Sequence, residues 1–124
     1  MHKVVKVGVM PLEQFKKRTI AIANGTYKPH KGEPKIWFRS MKSLAHVLSE
    51  ENQGLLRLIV VTHPKSIKEL EGVIGRTANN LLRTLRMMES YGFVKLTEGI
   101  GCRGRAPLVP EVIYSGAEVA VAFY

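Results

Sequence analysis

Residues Val4 to Val9 read Val-Val-Lys-Val-Gly-Val, a β-branched run with partial alternation, and predict a strand. Pro11 suits the first turn of a helix, and Glu13 lies near that helix's positive end. Leu12, Phe15, Thr19 and Ile20 are expected on its inward face, with Asn24-Gly25 stopping it after about Ala23. The polar stretch 26–34 contains Pro29, Gly32 and Pro34 and predicts a loop or basic arm. Ile36, Trp37 and Phe38, within Lys35 to Arg39, predict a second short strand.

From Ser40 the period becomes helical. Leu44, Val47 and Leu48 form a stripe over about residues 41–50, and Leu55, Leu56, Leu58, Ile59 and Val60 mark a heavily buried helix with Asn52 as its N-cap. That helix must end before Pro64, because a residue preceding proline is pushed out of the helical region. Ser66 followed by Glu69 forms a capping box for a short helix whose Leu70 and Val73 face inward and which Gly75 ends. Thr77 caps a longer helix reaching about Ser90, with Ala78, Leu81, Leu85 and Met88 on its buried side and Gly92 closing it. After Gly92 the period is two. A strand over 93–97, a Gly- and Arg-rich turn over 98–105, a returning strand over 108–114 and a last alternating strand over 118–124 follow.

The expected fold class is therefore α+β: a winged helix-turn-helix with an extra N-terminal strand-helix-strand segment and a C-terminal strand. Residues 1–39 form the extension, a dimerisation or partner region. Residues 40–115 form a DNA-binding domain, and 116–124 the last strand. The order helix, tight Gly turn, longer helix, hairpin with a basic tip is how such a module meets DNA: the longer helix in the major groove, the hairpin on backbone or minor groove.

Charge sharpens this picture. The 124 residues carry a formal net charge of +9, which suits a polyanionic partner. Residues 1–39 hold nine Lys or Arg against two Glu, and residues 76–105 hold six against two, whereas 40–75 balance at four each. No apolar run reaches the roughly 20 residues that cross a bilayer, so no membrane association is expected. The N-terminus lacks the apolar core of an export signal, and the single cysteine, Cys102, forms no internal disulfide. Both point to the cytoplasm.

On the longer helix, Arg76, Thr77, Asn79, Asn80, Arg83 and Arg86 lie off the buried stripe. Asn pairs bidentately with adenine and Arg with guanine. Asn79, Asn80 and Arg83 are placed nearest base edges, and Arg76 and Thr77 on phosphates, where the helix N-terminus would add backbone donors. Ser66 joins the DNA-contacting set. At the hairpin tip, Arg103 and Arg105 flank Gly104, an arrangement suited to a narrow minor groove. Cys102 beside them is either an incidental thiol or a redox-sensitive one. His2, His30, His46 and His63 lack metal-ligand spacing, and Gly99-Ile-Gly101 is not a phosphate-binding loop, so neither metal nor cofactor is expected. No nucleophile-and-base pair is recognisable, and an enzyme is not expected.

Residues 66–75 and 76–94 resemble winged-helix regulators of the MarR type. Gly75 ends the first motif helix, Arg83 lies midway along the second, and Gly92-Phe93-Val94 opens the wing. Leu82 departs from the small hydroxyl residue usual in that pattern and either meets a thymine methyl or packs internally. The whole chain resembles short prokaryotic predicted transcriptional regulators, some of them antitoxin-like. The resemblance implies a sequence-specific double-stranded DNA-binding regulator acting as a homodimer. The alternative is an antitoxin-type protein that binds a toxin-like partner and autoregulates its operon. The terminal strands are expected to join Lys35 to Phe38 in one sheet, within or between subunits, since exposed apolar edges need covering. Val5, Val7, Trp37, Phe38, Val119, Val121 and Phe123 are the candidate interface anchors, with an intramolecular core around Trp37 the competing arrangement.

Overall fold

A computed structural model describes residues 3–99 and 107–121. Arg103, Arg105, Cys102 and Phe123 lie outside these described residues. The chain is α+β, with five helices and two sheets among the described residues. It divides into two compact units, Met1–His46 with Tyr114–Tyr124, and Val47–Ile113. No helix among the described residues is long and apolar enough to cross a membrane.

In the first unit, β1 (Val4–Val9), α1 (Leu12–Ala23) and β2 (Ile36–Phe38) form a strand-helix-strand crossover. A parallel pair needs such a connection, since a tight turn cannot reverse the chain twice. The last strand, β5 (Gly116–Val121), also pairs with β1 in parallel, giving the order β2-β1-β5 inside one chain. Lys6 stands opposite Glu118 in that register, so the basic and acidic terminal strands meet with opposite charges aligned. Side chains alternate across a strand. Val5, Val7 and Val9 therefore share one face with Ile36 and Phe38, and all five are buried.

The other face carries Gly8 beneath the Trp37 ring. A Cβ on Gly8 would stand 2.6 Å from Trp37 Cε3 and 2.8 Å from Pro34 Cγ, so only glycine admits this packing. Trp37 meets Phe15 of α1 edge-on, with ring centroids 6.4 Å apart. Helix α1 departs from its expected orientation: Leu12 and Ile20 are exposed and none of its residues is fully buried. Phe15 rests on Trp37, and the side that is half-buried with it carries Gln14, Arg18, Ala21 and Ile22, two polar and two apolar.

α2 (Met41–Val47) buries Leu44 and Val47 and spans the boundary between the units. In the second unit, α3 (Glu50–Thr62) begins earlier than expected. Ser49, not Asn52, is its N-cap, accepting from the Asn52 N–H at 3.2 Å. Asn52 is instead buried, donating through Nδ2 to the Val47 carbonyl at 3.0 Å. Only Leu55 and Ile59 of the apolar run are fully buried, and Val60 and Val61 are exposed, because a helix surrounds only part of its circumference with core. The helix ends with His63 in the left-handed region ahead of Pro64.

α4 (Ile67–Ile74) has Ile67 and Leu70 inside, but Val73 is 63% exposed. The Ser66 hydroxyl accepts the Glu69 N–H at 3.1 Å, and the returning carboxylate accepts from the Lys65 N–H, one residue earlier than in a standard capping box. Gly75, at φ 77°, turns the chain into α5 (Ala78–Tyr91), and Gly92, at φ 94°, turns it out. β3 (Val94–Glu98) and β4 (Leu108–Val112) then pair antiparallel, with Gly99 N–H donating to the Pro107 carbonyl at 2.7 Å.

Candidate functional site

Helix α5 is divided cleanly. Leu81, Leu85 and Met88, at three- and four-residue spacing, are each 0% exposed. Thr77, Asn79, Asn80, Arg83 and Arg86 are exposed. Burial of the leucine side determines the helix's rotation, and the polar side is left in solvent as a consequence. Leu82 is half-buried, between the two surfaces.

Within the polar side the residues divide further. The Thr77 hydroxyl accepts the Asn80 N–H at 3.2 Å and so acts as a cap. Arg76 does not extend outward. Its Nε donates to Asn80 Oδ1 at 2.7 Å and its Nη2 to Thr84 Oγ1 at 2.8 Å, so it lies along the helix over two turns. Its Nη1 is buried and meets no hydrogen-bond partner among the described residues. Asn80 therefore has its carbonyl engaged, and only its amide donors remain for a base edge. Arg86 reaches Glu89 at 3.4 Å, an exposed pair that contributes little to stability. Among the described residues, Asn79 and Arg83 are the members of this face whose side chains make no hydrogen bond to a neighbour on the helix. Ser66 lies at the start of α4 with its oxygen used as the cap there.

The N-terminus of α5 differs from expectation. A Glu71 carboxylate oxygen accepts the Ala78 N–H, and Thr77 takes that of Asn80. These acceptors already satisfy two first-turn donors, and the carboxylate places a negative charge at the positive end of the helix. An incoming phosphate would have to displace it. Glu89 similarly accepts the Leu96 N–H at 3.1 Å and ties α5 to the first strand of the hairpin. Neither carboxylate role was visible in the sequence, because both bonds join residues seven apart across a turn.

In the first unit, Val5, Val7 and Phe38 are no more than 2% exposed and lie inside the unit's own packing. Trp37 is half-buried, and its contacts with Phe15 and Arg18 are intramolecular. Val119 and Val121 do remain exposed, on a strand that pairs only with β1 among the described residues.

Sequence reasoning missed the cluster around Arg18. Its guanidinium lies 5.2 Å from the Trp37 ring centroid and 5.9 Å from that of Tyr27, and its Nη2 meets Glu33 Oε2 at 2.9 Å. The Tyr27 hydroxyl donates to the other oxygen of Glu33. That hydrogen bond, with Arg18 and more weakly His30 nearby, holds the Glu33 carboxyl below its ordinary pKa despite burial acting the other way. A signal existed: Gln14, Arg18 and Ala21 recur at helical spacing, but a stripe with two polar members reads as solvent-facing.

The class these features define is a small α+β chain whose second unit presents one polar, basic helix face beside a β-hairpin. The chain belongs to the HVO_A0114 family, whose model matches residues 47–119, more than half its length and beginning where the second unit begins. Comparison with curated proteins and with solved structures gave no match.

Proposed function

We propose that the chain is a double-stranded DNA-binding transcriptional regulator built on a winged helix-turn-helix in residues 66–112. α4, the Gly75 turn and α5 supply the helix-turn-helix, and β3 and β4 supply the wing. The observation that carries the reading is the two-sided character of α5: three fully buried apolar side chains oppose a continuous exposed face bearing Thr77, Asn79, Asn80, Arg83 and Arg86. A helix held in this way enters the major groove with its polar side toward base edges. Asn79 and Arg83 are the base readers, and Arg86 is a backbone contact that exchanges Glu89 for phosphate. Arg103 and Arg105 are assigned to the wing from sequence alone. Val119 and Val121, on the open edge of β5, are the surface through which two copies would form a homodimer reading paired half-sites.

Selection of bound duplexes from a random pool, followed by titration of the winning sequence, tests the proposal. Arg83→Ala should weaken binding by about 1–3 kcal/mol and relax one position of the site. Absence of duplex binding at low salt, or a selected sequence indifferent to both Arg83→Ala and Asn79→Ala, would overturn it.

A further inference from the structure

Most of the chain's positive charge lies away from α5. The first unit holds ten Lys or Arg against three Glu, a net +7, whereas the second holds nine against seven. The loop over residues 26–35, between α1 and β2, gathers much of it and is tied down along its length. At its start the Thr26 and Tyr27 N–H groups donate to the Ala21 carbonyl at 2.9 and 3.1 Å. At its end the Lys35 N–H donates to the Lys6 carbonyl at 2.9 Å, and between them Lys6 Nζ donates to the Gly32 carbonyl at 2.8 Å. Glu33, the single carboxylate between Gln14 and Ser49, is half-buried and taken by Arg18 and the Tyr27 hydroxyl. Lys28, His30 and Lys31 are left exposed with no carboxylate among them. Lys17 of α1 is exposed too, and it borders, with Lys6, His30 and Gly32, one cavity of about 710 Å³.

We propose that this pinned loop, with Lys17 beside it, is a second contact with duplex DNA, one that grips backbone phosphates through Lys17, Lys28 and Lys31 and reads no sequence. The proposal rests on the reading of the chain as a duplex-binding protein but not on the role given to α5. Phosphate contacts need positive charge and reach, whereas single strands are held by free aromatic rings on which bases stack. The rings nearest the loop, Tyr27 and Trp37, are half-buried and lie against Arg18. Protein partners and membranes call for apolar anchors, and the loop exposes no apolar side chain larger than Pro29. Fixing the loop in advance lowers the cost of ordering it on binding. The Arg18, Tyr27 and Glu33 cluster does this, and it also withdraws the loop's one negative charge from the surface.

The full chain is titrated with a labelled duplex of arbitrary sequence at several salt concentrations, with fluorescence anisotropy as the readout. Each phosphate contact contributes about 0.9 to the slope of log affinity against log salt. Lys17→Gln, Lys28→Gln and Lys31→Gln combined should lower that slope by about 2–3 with the thermal transition unchanged. The same three positions changed to Arg should keep the parental slope. On a selected duplex the triple Gln variant should weaken binding without altering the preferred bases, the reverse of what Arg83→Ala should do. A lowered slope sustains the proposal even where Arg83→Ala and Asn79→Ala change nothing. An unchanged slope, or no duplex binding by the parent, would overturn it, the former even where Arg83→Ala costs affinity. So would an unmoved duplex slope with lost binding to phosphatidylserine vesicles or to polyglutamate, which would assign the loop to a membrane or to an acidic protein.

Discussion

Helices α1 and α5 have nearly the same length, 12 and 14 residues, yet they are used in opposite ways. α5 sinks Leu81, Leu85 and Met88 completely and keeps its polar residues outside. α1 buries no residue fully, exposes Leu12 and Ile20, and turns Gln14 and Arg18 toward a cavity. One helix is held by its apolar side and offers its polar side to solvent. The other rests Phe15 against Trp37, keeps only Gln14 and Arg18 of its polar residues half-buried, and leaves Glu13, Lys16, Lys17 and Thr19 in solvent. The comparison separates two kinds of candidate surface: a convex one, suited to a groove in another molecule, and a concave one, rimmed by exposed lysines.

Truncating the two helices should break the symmetry most sharply. Leu85→Ala, at 0% exposure, is expected to cost about 2–5 kcal/mol, the range for emptying a buried leucine site. Ile20→Ala, at 60% exposure, should stay within about 0.5 kcal/mol of the parent, as surface changes do. Urea denaturation followed by circular dichroism measures both. Equal costs would show that α1 is packed like α5.

A smaller effect tests how the concave side is built. Gly8→Ala places a methyl group against Trp37 and Pro34 and should cost about 1–3 kcal/mol through forced repacking. Trp37 emission should shift to longer wavelength as the ring is displaced. An unshifted spectrum with unchanged stability would mean that the ring does not rest on Gly8.

The smallest effect is on acidification. The Glu33 pKa is lowered in the folded chain, so its contribution to stability is fully present above the unfolded carboxyl value and is lost as pH falls through the folded one. Glu33→Gln should therefore be less stable than the parent at neutral pH, with the gap closing as pH drops below the ordinary carboxylate range. Thermal transitions monitored at Trp37 across that range measure the gap. A gap of constant size would remove Glu33 from the account of the cluster.

Much of the second unit was legible because its signals are local. Ser66 and Thr77 cap, Gly75 and Gly92 end helices in the left-handed region, and a period of 3.6 gives way to one of two after Phe93. Local signals were less informative where the core covers only part of a helix. Val60, Val61 and Val73 have the same chemistry as their buried neighbours and remain exposed. The burial of Val5, Val7 and Phe38 within their own chain was open for a related reason: an apolar strand needs covering, but its sequence does not say whether the cover comes from the same chain.

By itself the sequence determined the elements, their order, the turn glycines and the two-sided nature of α5, since each depends on residues within a few positions of one another. Tertiary structure alone decided that β5 returns to lie parallel to β1, that Trp37 occupies the space left by Gly8, and that Glu71 covers the start of α5. It also decided that Arg18 is clamped between Trp37, Tyr27 and Glu33. These arrangements join residues that are distant in the chain or separated by a turn, and periodicity carries no information about which face meets which neighbour.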